Sequence, residues 1–592
     1  MTRFNVFEEK IALFRRSGVI LKRRAQLIGW IRVALFLIFV ACSIYALSMS
    51  RLEWFLLVFV LFVPIFGWLV KLHNKVRFDR DQNMFLIKIN EDEVCRQHGN
   101  LKQLDLRDYE IDPTHPYALD MDVFGQHSIF RLLTRSKLVG AQNMMSDWLL
   151  NHARPDVIRR RQNAVKELQN QIDWRQTLTA YSCHDVFGSC GDLGAIIDWL
   201  RIKLTNIDHW IFHLIKFIVP ISTIMIFMGW WLAGWNGSLF LVPLVLNLSV
   251  LTRVNAVLSD FNKEFGQVHL QIKKYVWSIQ HIRKAEFDSE VLQSHFVTLA
   301  DAEKAINQLG QILHFIQGRA NVLYMPVNLW MALDIHGFHA IMSWKTKHLD
   351  RMTQWLEAVH EVSVLSDIAS YAFANPNYAV PNISKTDEIA AKDLGHPLIS
   401  EPKRIYNDFV QDIDRPLGLI TGSNMSGKST FLRTVGVNLI LAQVGAPVCA
   451  TSFTCPPILV FSSMRTQDNL EESVSSFYAE LIRLKQALDL IANGQKIYYL
   501  LDEILKGTNS EDRHKGAISL IWQLAASSSM GLVSTHDIQL SELSQSDERI
   551  VNYSFNSTID GGSIVFDYRL TPGVCRSFNA SLLMKKMGII KE

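Results

Sequence analysis

At 592 residues the chain is long enough for several domains. Its formal charge of +3 excludes a global polyanion-binding signature, though not a local basic face. Seven scattered cysteines without a C-x-x-C pair argue against a disulfide framework and for reduced thiols in a cytosolic catalytic region; Cys183, His184 and Cys190 match no common zinc spacing, and ordinary thiols are the simpler reading.

Residues 1–80 read as a basic amphipathic lead and an apolar hairpin, with spans at about 33–49 and 52–70. A second apolar pair lies at about 217–235 and 238–251. A membrane helix needs about 20 apolar residues and at least about 17, so three segments qualify and the fourth is short. Buried core helices are the alternative. Adjacent pairs with Trp near their ends favour membrane hairpins. Arg15, Arg16, Lys22, Arg23 and Arg24 precede the first pair, and Lys71, Lys75, Arg77 and Arg80 follow it. The link holds only Arg51 and Glu53, which puts both ends of the hairpin in the cytoplasm. Lys203, Lys216 and Arg253 favour the same side for the second pair. Arg32 is positioned to snorkel to the headgroups. Nothing near Met1 resembles a cleavable signal. The expected location is a membrane, crossed several times, with the remaining domains in the cytoplasm and lipid as a partner.

Residues 81–120 look like an irregular connector, with turns at Asp112-Pro113 and His115-Pro116. Residues 121–374 have helical periodicity, through Ile129, Leu132 and Leu133 and again through Met144, Trp148 and Leu149, interrupted by the second hairpin. Asn375-Pro376-Asn377 punctuates the chain, and 375–592 alternates short apolar strands with helices, the pattern of an α/β domain.

That last region carries the chemistry. Gly422-Ser423-Asn424-Met425-Ser426-Gly427-Lys428-Ser429-Thr430 fits G-x-x-x-x-G-K-[ST], between an apolar strand at Leu417–Thr421 and a helical pattern at Phe431–Val444. Such a loop curls its N–H groups around phosphates; Lys428 is expected on the β- and γ-phosphates of ATP and Ser429 on Mg²⁺. The apolar run Ile497–Leu501 ends in Asp502-Glu503, a place from which Asp502 can orient Mg²⁺ and Glu503 can activate the attacking water. Val533-Ser534-Thr535-His536 is a short strand ending in a histidine suited to sensing the γ-phosphate. This order indicates an ABC-type P-loop ATPase.

The chain resembles the MutS family of DNA mismatch-repair ATPases. Thr421–Thr430 resembles the family's TGPNMGGKST, Leu501–Ser510 its MDEIGRGTST, Ser534-Thr535-His536 its ATH, and Asp468-Asn469-Leu470 through Ser475–Glu480 its D-D-L…S-T-F-x-x-E. Gly395-His396-Pro397-Leu398 resembles its RHPL, and Pro572-Gly573-Val574 with the closing helix resembles its dimerisation end. Asp122–Gly125, Ser128–Phe130 and Arg160-Arg161-Gln162 are similar to its helical core. The likeness covers roughly 120–200 and 255–592 and is most specific in the ATPase. It implies an all-α lever domain of MutS-core type before the ATPase, and a homodimer in which Ser475 completes the partner's ATP site. Ser475 and Ser476 also suit the cap of the following helix.

Several positions depart from the family. Ser426 and Leu505 replace glycines, Lys506 replaces an arginine, and Ser473-Val474 replaces Gly-Arg. No counterpart is expected for the mismatch-reading domain with its Phe-x-Glu wedge; Phe7-Glu8-Glu9 fits that pattern only formally. The clamp is also missing, with the second apolar pair in its place.

Two functions follow. One is a membrane-anchored MutS-like ATPase coupled to mismatched, damaged or branched DNA, with Arg131, Arg135, Lys137, Arg154, Arg159, Arg160, Arg161 and Lys166 as candidate phosphate contacts. The alternative is a membrane mechanochemical or signalling ATPase that does not read DNA, those charges being a solvated face. An ABC transporter fits less well, because no LSGGQ-like signature is present.

Overall fold

The computed structural model describes residues 3–184, 193–202, 210–249, 251, 268–321, 324–423, 425–464, 476–506, 508–560 and 563–575. Two long helices open the chain, α1 (Arg3–Ser48) and α2 (Leu52–Gln97). They pack against each other along their length and turn at Ser50, whose φ of 53° is left-handed. The basic lead is therefore continuous with the first apolar segment. Likewise, 81–97 is helix rather than connector, and the irregular segment begins at His98. It is punctuated at Asp112, whose carboxylate accepts the backbone N–H of Thr114.

The apolar stretches of α1 and α2 are long enough to cross a membrane and almost wholly exposed. Leu214–Ala233, in α8 (Trp210–Ala233), is a third such helix, and the apolar helix α9 (Gly237–Ser249) is shorter.

The helical domain comprises α3 (Ile129–Leu133), α4 (Val139–Leu150), α5 (Pro155–Leu168), α6 (Ile172–Ser182), α7 (Leu193–Ile202), α10 (Val268–Arg283), α11 (Glu290–Thr298), α12 (Ala302–Gln317), α13 (Tyr324–Met331) and α14 (Leu333–Ala374). α14 is its axis: α4, α5, α6, α11 and α12 all pack on it, and it buries Trp344 and Trp355. The ends of α1 and α2 remote from their apolar stretches lie on this domain. Phe7 is buried edge-on to Phe373, so it is a packing residue, and Lys10 pairs with Asp173. His184 is stacked on Phe78 and bonded to Gln82, a core histidine, and no cluster of three or more His, Cys, Asp or Glu placed to hold a metal occurs among the described residues. Cys190 lies outside them.

A buried ionic cluster fixes α2 to the domain. Glu93 accepts from Arg96 Nη1 (2.8 Å) and from Arg135 Nε (2.9 Å). Arg96 donates to the carbonyls of Arg131 and Thr134, and Asp367 on α14 accepts the N–H groups of Arg135 and Ser136. Burial alone would raise the Glu93 carboxyl, but Arg135 and Arg96 outweigh it and hold it below the usual range. This corrects the reading of the basic stretch. Arg135 and Arg131 are buried, Arg131 on the Leu104 carbonyl and Asp108, and Arg161 is buried over the Trp148 ring. These three side chains are interior struts. Arg154, Arg159 and Lys166 remain exposed.

The C-terminal domain contains two sheets. A four-stranded sheet has the order β1 (Asn382–Ile383), β5 (Ser452–Cys455), β2 (Glu388–Leu394), β3 (Asn407–Asp412). A six-stranded sheet has the order β10 (Ser563–Pro572), β9 (Ile550–Asp560), β4 (Leu417–Gly422), β8 (Met530–Thr535), β7 (Ile497–Asp502), β6 (Leu459–Ser463). Strands β9, β4, β8, β7 and β6 are parallel, and β10 is antiparallel to β9. Parallel strands need cover on both faces, which explains their unbroken apolar runs. Helix α15 (Lys428–Val444) and the helical domain cover one face; α16 (Ser476–Ala492) and α17 (Ser510–Ala525) cover the other.

Glu93→Ala removes the shared acceptor of two buried guanidiniums and is expected to lower stability by about 3–5 kcal/mol. Thermal unfolding of the full chain in detergent measures this; an unchanged midpoint would show that the cluster does not anchor α2.

Candidate functional site

The sheet order puts β4, β8 and β7 side by side, so the loops after them open on one edge, where parallel α/β sheets hold ligands. The phosphate-loop pattern leaves β4 at Gly422 and enters α15 at Lys428. Gly427 has φ 106°, and a Cβ there would lie 3.0 Å from the Tyr568 ring, so glycine is required twice over. A Cβ on Gly422 would lie 2.8 Å from the buried Ser426 hydroxyl. Met425 is exposed with φ 67°, Ser429 is half-buried and Thr430 exposed. Ser423 is also half-buried; Asn424 lies outside the described residues. Lys428 is buried, and its Nζ donates to the carbonyls of Gly422 (2.9 Å) and Ser423 (3.0 Å). Burial lowers the pKa of this ammonium, against the pull of Glu503 and Asp502.

Asp502 ends β7 and accepts a hydrogen bond from the Ser534 hydroxyl of β8. Glu503 follows in the left-handed region, φ 51°. His536 joins the loops: its Nδ1 lies 3.0 Å from the Gly422 carbonyl and its Nε2 2.5 Å from Glu503 Oε1. A carbonyl only accepts, so Nδ1 carries a proton. Lys506 Nζ lies 2.8 Å from the other Glu503 oxygen. The His536 hydrogen bond first, and Lys506 after it, hold the Glu503 carboxyl down to about 2. The structure thus brings Gly422, Lys428, Asp502, Glu503 and His536 into one cluster. Ser475 and the closing helix lie outside the described residues.

Two features extend beyond the sequence reading. The first is a brace on the turn after Glu503. Leu505 is left-handed (φ 61°), a conformation that costs a side-chain-bearing residue about 1–2 kcal/mol. The side chain is nevertheless buried, against Gly516, where a Cβ would lie 2.8 Å from Leu505 Cδ1. The Glu480 carboxylate, from α16, accepts the N–H groups of both Leu505 and Lys506. The second is a cavity of about 200 Å³ beside Gly427 and Thr430, walled by His396, Ile405, Phe431 and Tyr568. Tyr568 reaches it through the β9–β10 hairpin, where the register shifts, and the Asn407 side chain donates to the Tyr568 carbonyl and accepts the Leu570 N–H. No local motif announces a tyrosine so far along the chain.

Glu480→Ala leaves two backbone N–H groups of the turn without an acceptor and is expected to destabilise by about 2–4 kcal/mol, whereas Glu480→Gln, which keeps one carbonyl oxygen, costs less. Thermal unfolding of both variants checks this; equal effects would show that the carboxylate does not brace the turn.

Comparison with known proteins agrees with this geometry. Residues 418–586 match the family model described as MutS domain V. The chain is 32% identical over 242 residues to the DNA mismatch repair protein MutS of Thermotoga neapolitana, covering 40% of this chain and 29% of the relative. It is 26% identical over 333 residues to the protein of that name from Clostridioides difficile, covering 54% and 33%. With that of Geobacillus sp. it shares 25% over 347 residues, covering 58% and 38%. The matched region thus spans about a third of these relatives. Residues 418–586 are thus a domain of MutS domain V type, and the similarity to MutS proteins rests on the C-terminal half of the chain.

Proposed function

We propose that this chain is a membrane-anchored, Mg²⁺-dependent ATPase that works as a homodimer. The observation that carries the reading is the His536 bridge between the phosphate loop and Glu503. In this assignment Lys428 exchanges the loop carbonyls for ATP phosphates. Ser429 and Asp502 supply the hard oxygen donors that suit Mg²⁺, whose charge would offset that of the phosphates. Glu503 takes the proton of the attacking water, His536 reports the γ-phosphate, and the cavity at Tyr568 takes the base. Ser475 of a second copy completes the site. Glu503 is engaged by His536 and Lys506, so an active geometry requires at least one of them to let go.

The output has two readings. The relatives' name concerns DNA mismatch repair, and exposed Arg154, Arg159 and Lys166 leave some positive charge for DNA phosphates. The burial of Arg131, Arg135 and Arg161 favours the other reading, in which nucleotide state moves the helical levers and the membrane hairpins. ATP turnover of the full chain in lipid nanodiscs, without DNA and with matched, mismatched and four-way-junction DNA at two salt concentrations, separates them. A salt-sensitive response to any DNA supports the first. Indifference to all supports the second.

Glu503→Gln is expected to abolish turnover while keeping ATP bound, and Lys428→Ala to lose ATP binding. Wild-type turnover in the first, or undiminished affinity in the second, overturns the corresponding role. In Lys506→Ala the Glu503 carboxyl loses an opposite charge and its pKa rises. The protonated, inactive form then persists to higher pH, so the acid limb of the kcat profile should move upward. An unmoved limb would show that Lys506 does not tune the base.

A further inference from the structure

Residues 305–344 contain only two Asp, Glu, Lys or Arg side chains, Arg319 and Asp334, although the segment begins and ends in helices of the cytoplasmic domain. These two pair with each other. Arg319 Nε and Nη2 lie 3.0 and 3.1 Å from the two Asp334 oxygens. The carboxylate also accepts from the Tyr324 hydroxyl (2.8 Å) and Asn328 Nδ2 (2.8 Å), and the Asp334 N–H donates to Asn328 Oδ1. Asp334 is fully buried, and its charge is met on every side. Between these residues lies α13, with Met325 70% and Val327 46% exposed.

α13 sits against the second apolar pair. Side chains of that pair reach its last carbonyls: Asn247 Nδ2 donates to Asn328 and Leu329 O (both 2.8 Å), Asn328 O also accepting the Ala332 N–H, and Thr223 Oγ1 donates to Trp330 O (3.1 Å). The Trp330 ring is edge-on to Phe240, 5.6 Å between centroids. Thr223 is seven residues beyond Lys216 on α8, so Trp330 lies about 10 Å further along that helix than Lys216, at 1.5 Å per residue. α14 then returns, and His336 meets the Lys216 backbone.

We infer that α13 and its described flanks, residues 319–321 and 332–335, belong to a re-entrant membrane element, a further segment of the chain in the bilayer, which dips beside α8 and α9 and leaves on the side it entered. Its occupant is lipid hydrocarbon, by continuity with the exposed apolar face of α8. Non-helical backbone at that depth is tolerated only where protein satisfies it, which Asn247, Thr223 and Asn328 do here. Pairing Arg319 with Asp334 removes the charge that would otherwise forbid insertion. The inference rests on the reading of α8 and α9 as a membrane hairpin.

The test uses the full chain in phosphatidylcholine nanodiscs, with photoreactive benzoylphenylalanine replacing Met325 or, separately, Val327. Control positions are Met228 on α8 and Val297 on α11, the latter 70% exposed. Val297 is remote from α13: its neighbour His295 pairs with Glu361, about 40 Å along α14 from Asp334. Lipid adducts at Met325 and Val327 comparable with those at Met228, and absent at Val297, are expected. Adducts at Met228 without any at Met325 and Val327 overturn the inference alone. No adducts at Met228 overturn the hairpin reading and this inference with it.

Discussion

The constraint on which the rest of the structure depends is the double burial of α15. This helix begins with Lys428 and is covered over nearly its whole length, by the large sheet on one side and by α4, α5 and the segment around Met121 on the other. At its middle, a Cβ on Gly436 would lie 2.6 Å from Met121 Sδ and 2.7 Å from Leu500 Cδ1, so the sheet, α15 and the segment around Met121 are in contact through one small residue. At its end, a Cβ on Gly445 would lie 2.9 Å from Arg161 Cβ. An interior packed this closely does not deform continuously. A displacement of the phosphate loop is either absorbed at its hinge or carried into the helical domain as a rigid movement.

A similarly stiff path leads from that domain to the apolar hairpin of α1 and α2. Helix α2 runs unbroken from the apolar hairpin to Gln97, and its last turns are locked to residues 131–136 and to α14 by the Glu93 cluster. The cluster uses buried charges whose geometry admits few substitutes. Their net contribution to stability is modest beside that of apolar residues of equal volume, but they fix one relative placement of α2 and α14. Coupling over such a distance needs an element with two discrete arrangements. The turn at Glu503 has the features of one: two left-handed residues, a brace from Glu480 and a lysine latch on the carboxylate.

Much of the candidate site is legible in the sequence, because phosphate loops, strand-end carboxylates and strand-end histidines are fixed backbone geometries that demand fixed residue types. The parallel sheet is legible for the same kind of reason, in its unbroken apolar runs. What is not legible depends on tertiary placement. Composition cannot distinguish Arg135, neutralised by a glutamate on another helix, from Arg159 in solvent. Tyr568 is brought to the phosphate loop by a hairpin whose register shift has no local signal. α13 is too short for any hydropathy window; only the side chains of Thr223 and Asn247 reveal that it packs on the second apolar pair. Residues 81–97 look mixed because the face of α2 that lies on the helical domain buries polar side chains, Asn83, Asn90, Glu93 and Arg96, beside Ile89, so no apolar stripe marks the helix.

The departures from the family pattern bear on the same question. A glycine at Leu505 would hold the turn without strain but contribute nothing to the core. The leucine adopts a left-handed backbone and buries its side chain where Gly516 leaves room, so strain and burial oppose each other at one residue. Burying a leucine is favourable by about 1.5–3 kcal/mol, comparable with the strain. The turn that holds Glu503 is therefore set by a near balance, and small forces from α16 suffice to tip it. α16 follows directly on Ser475, the residue assigned to the second copy's site. If that assignment holds, closure of the dimer pulls on the helix that carries Glu480, and the base is positioned by the same movement that completes the ATP site.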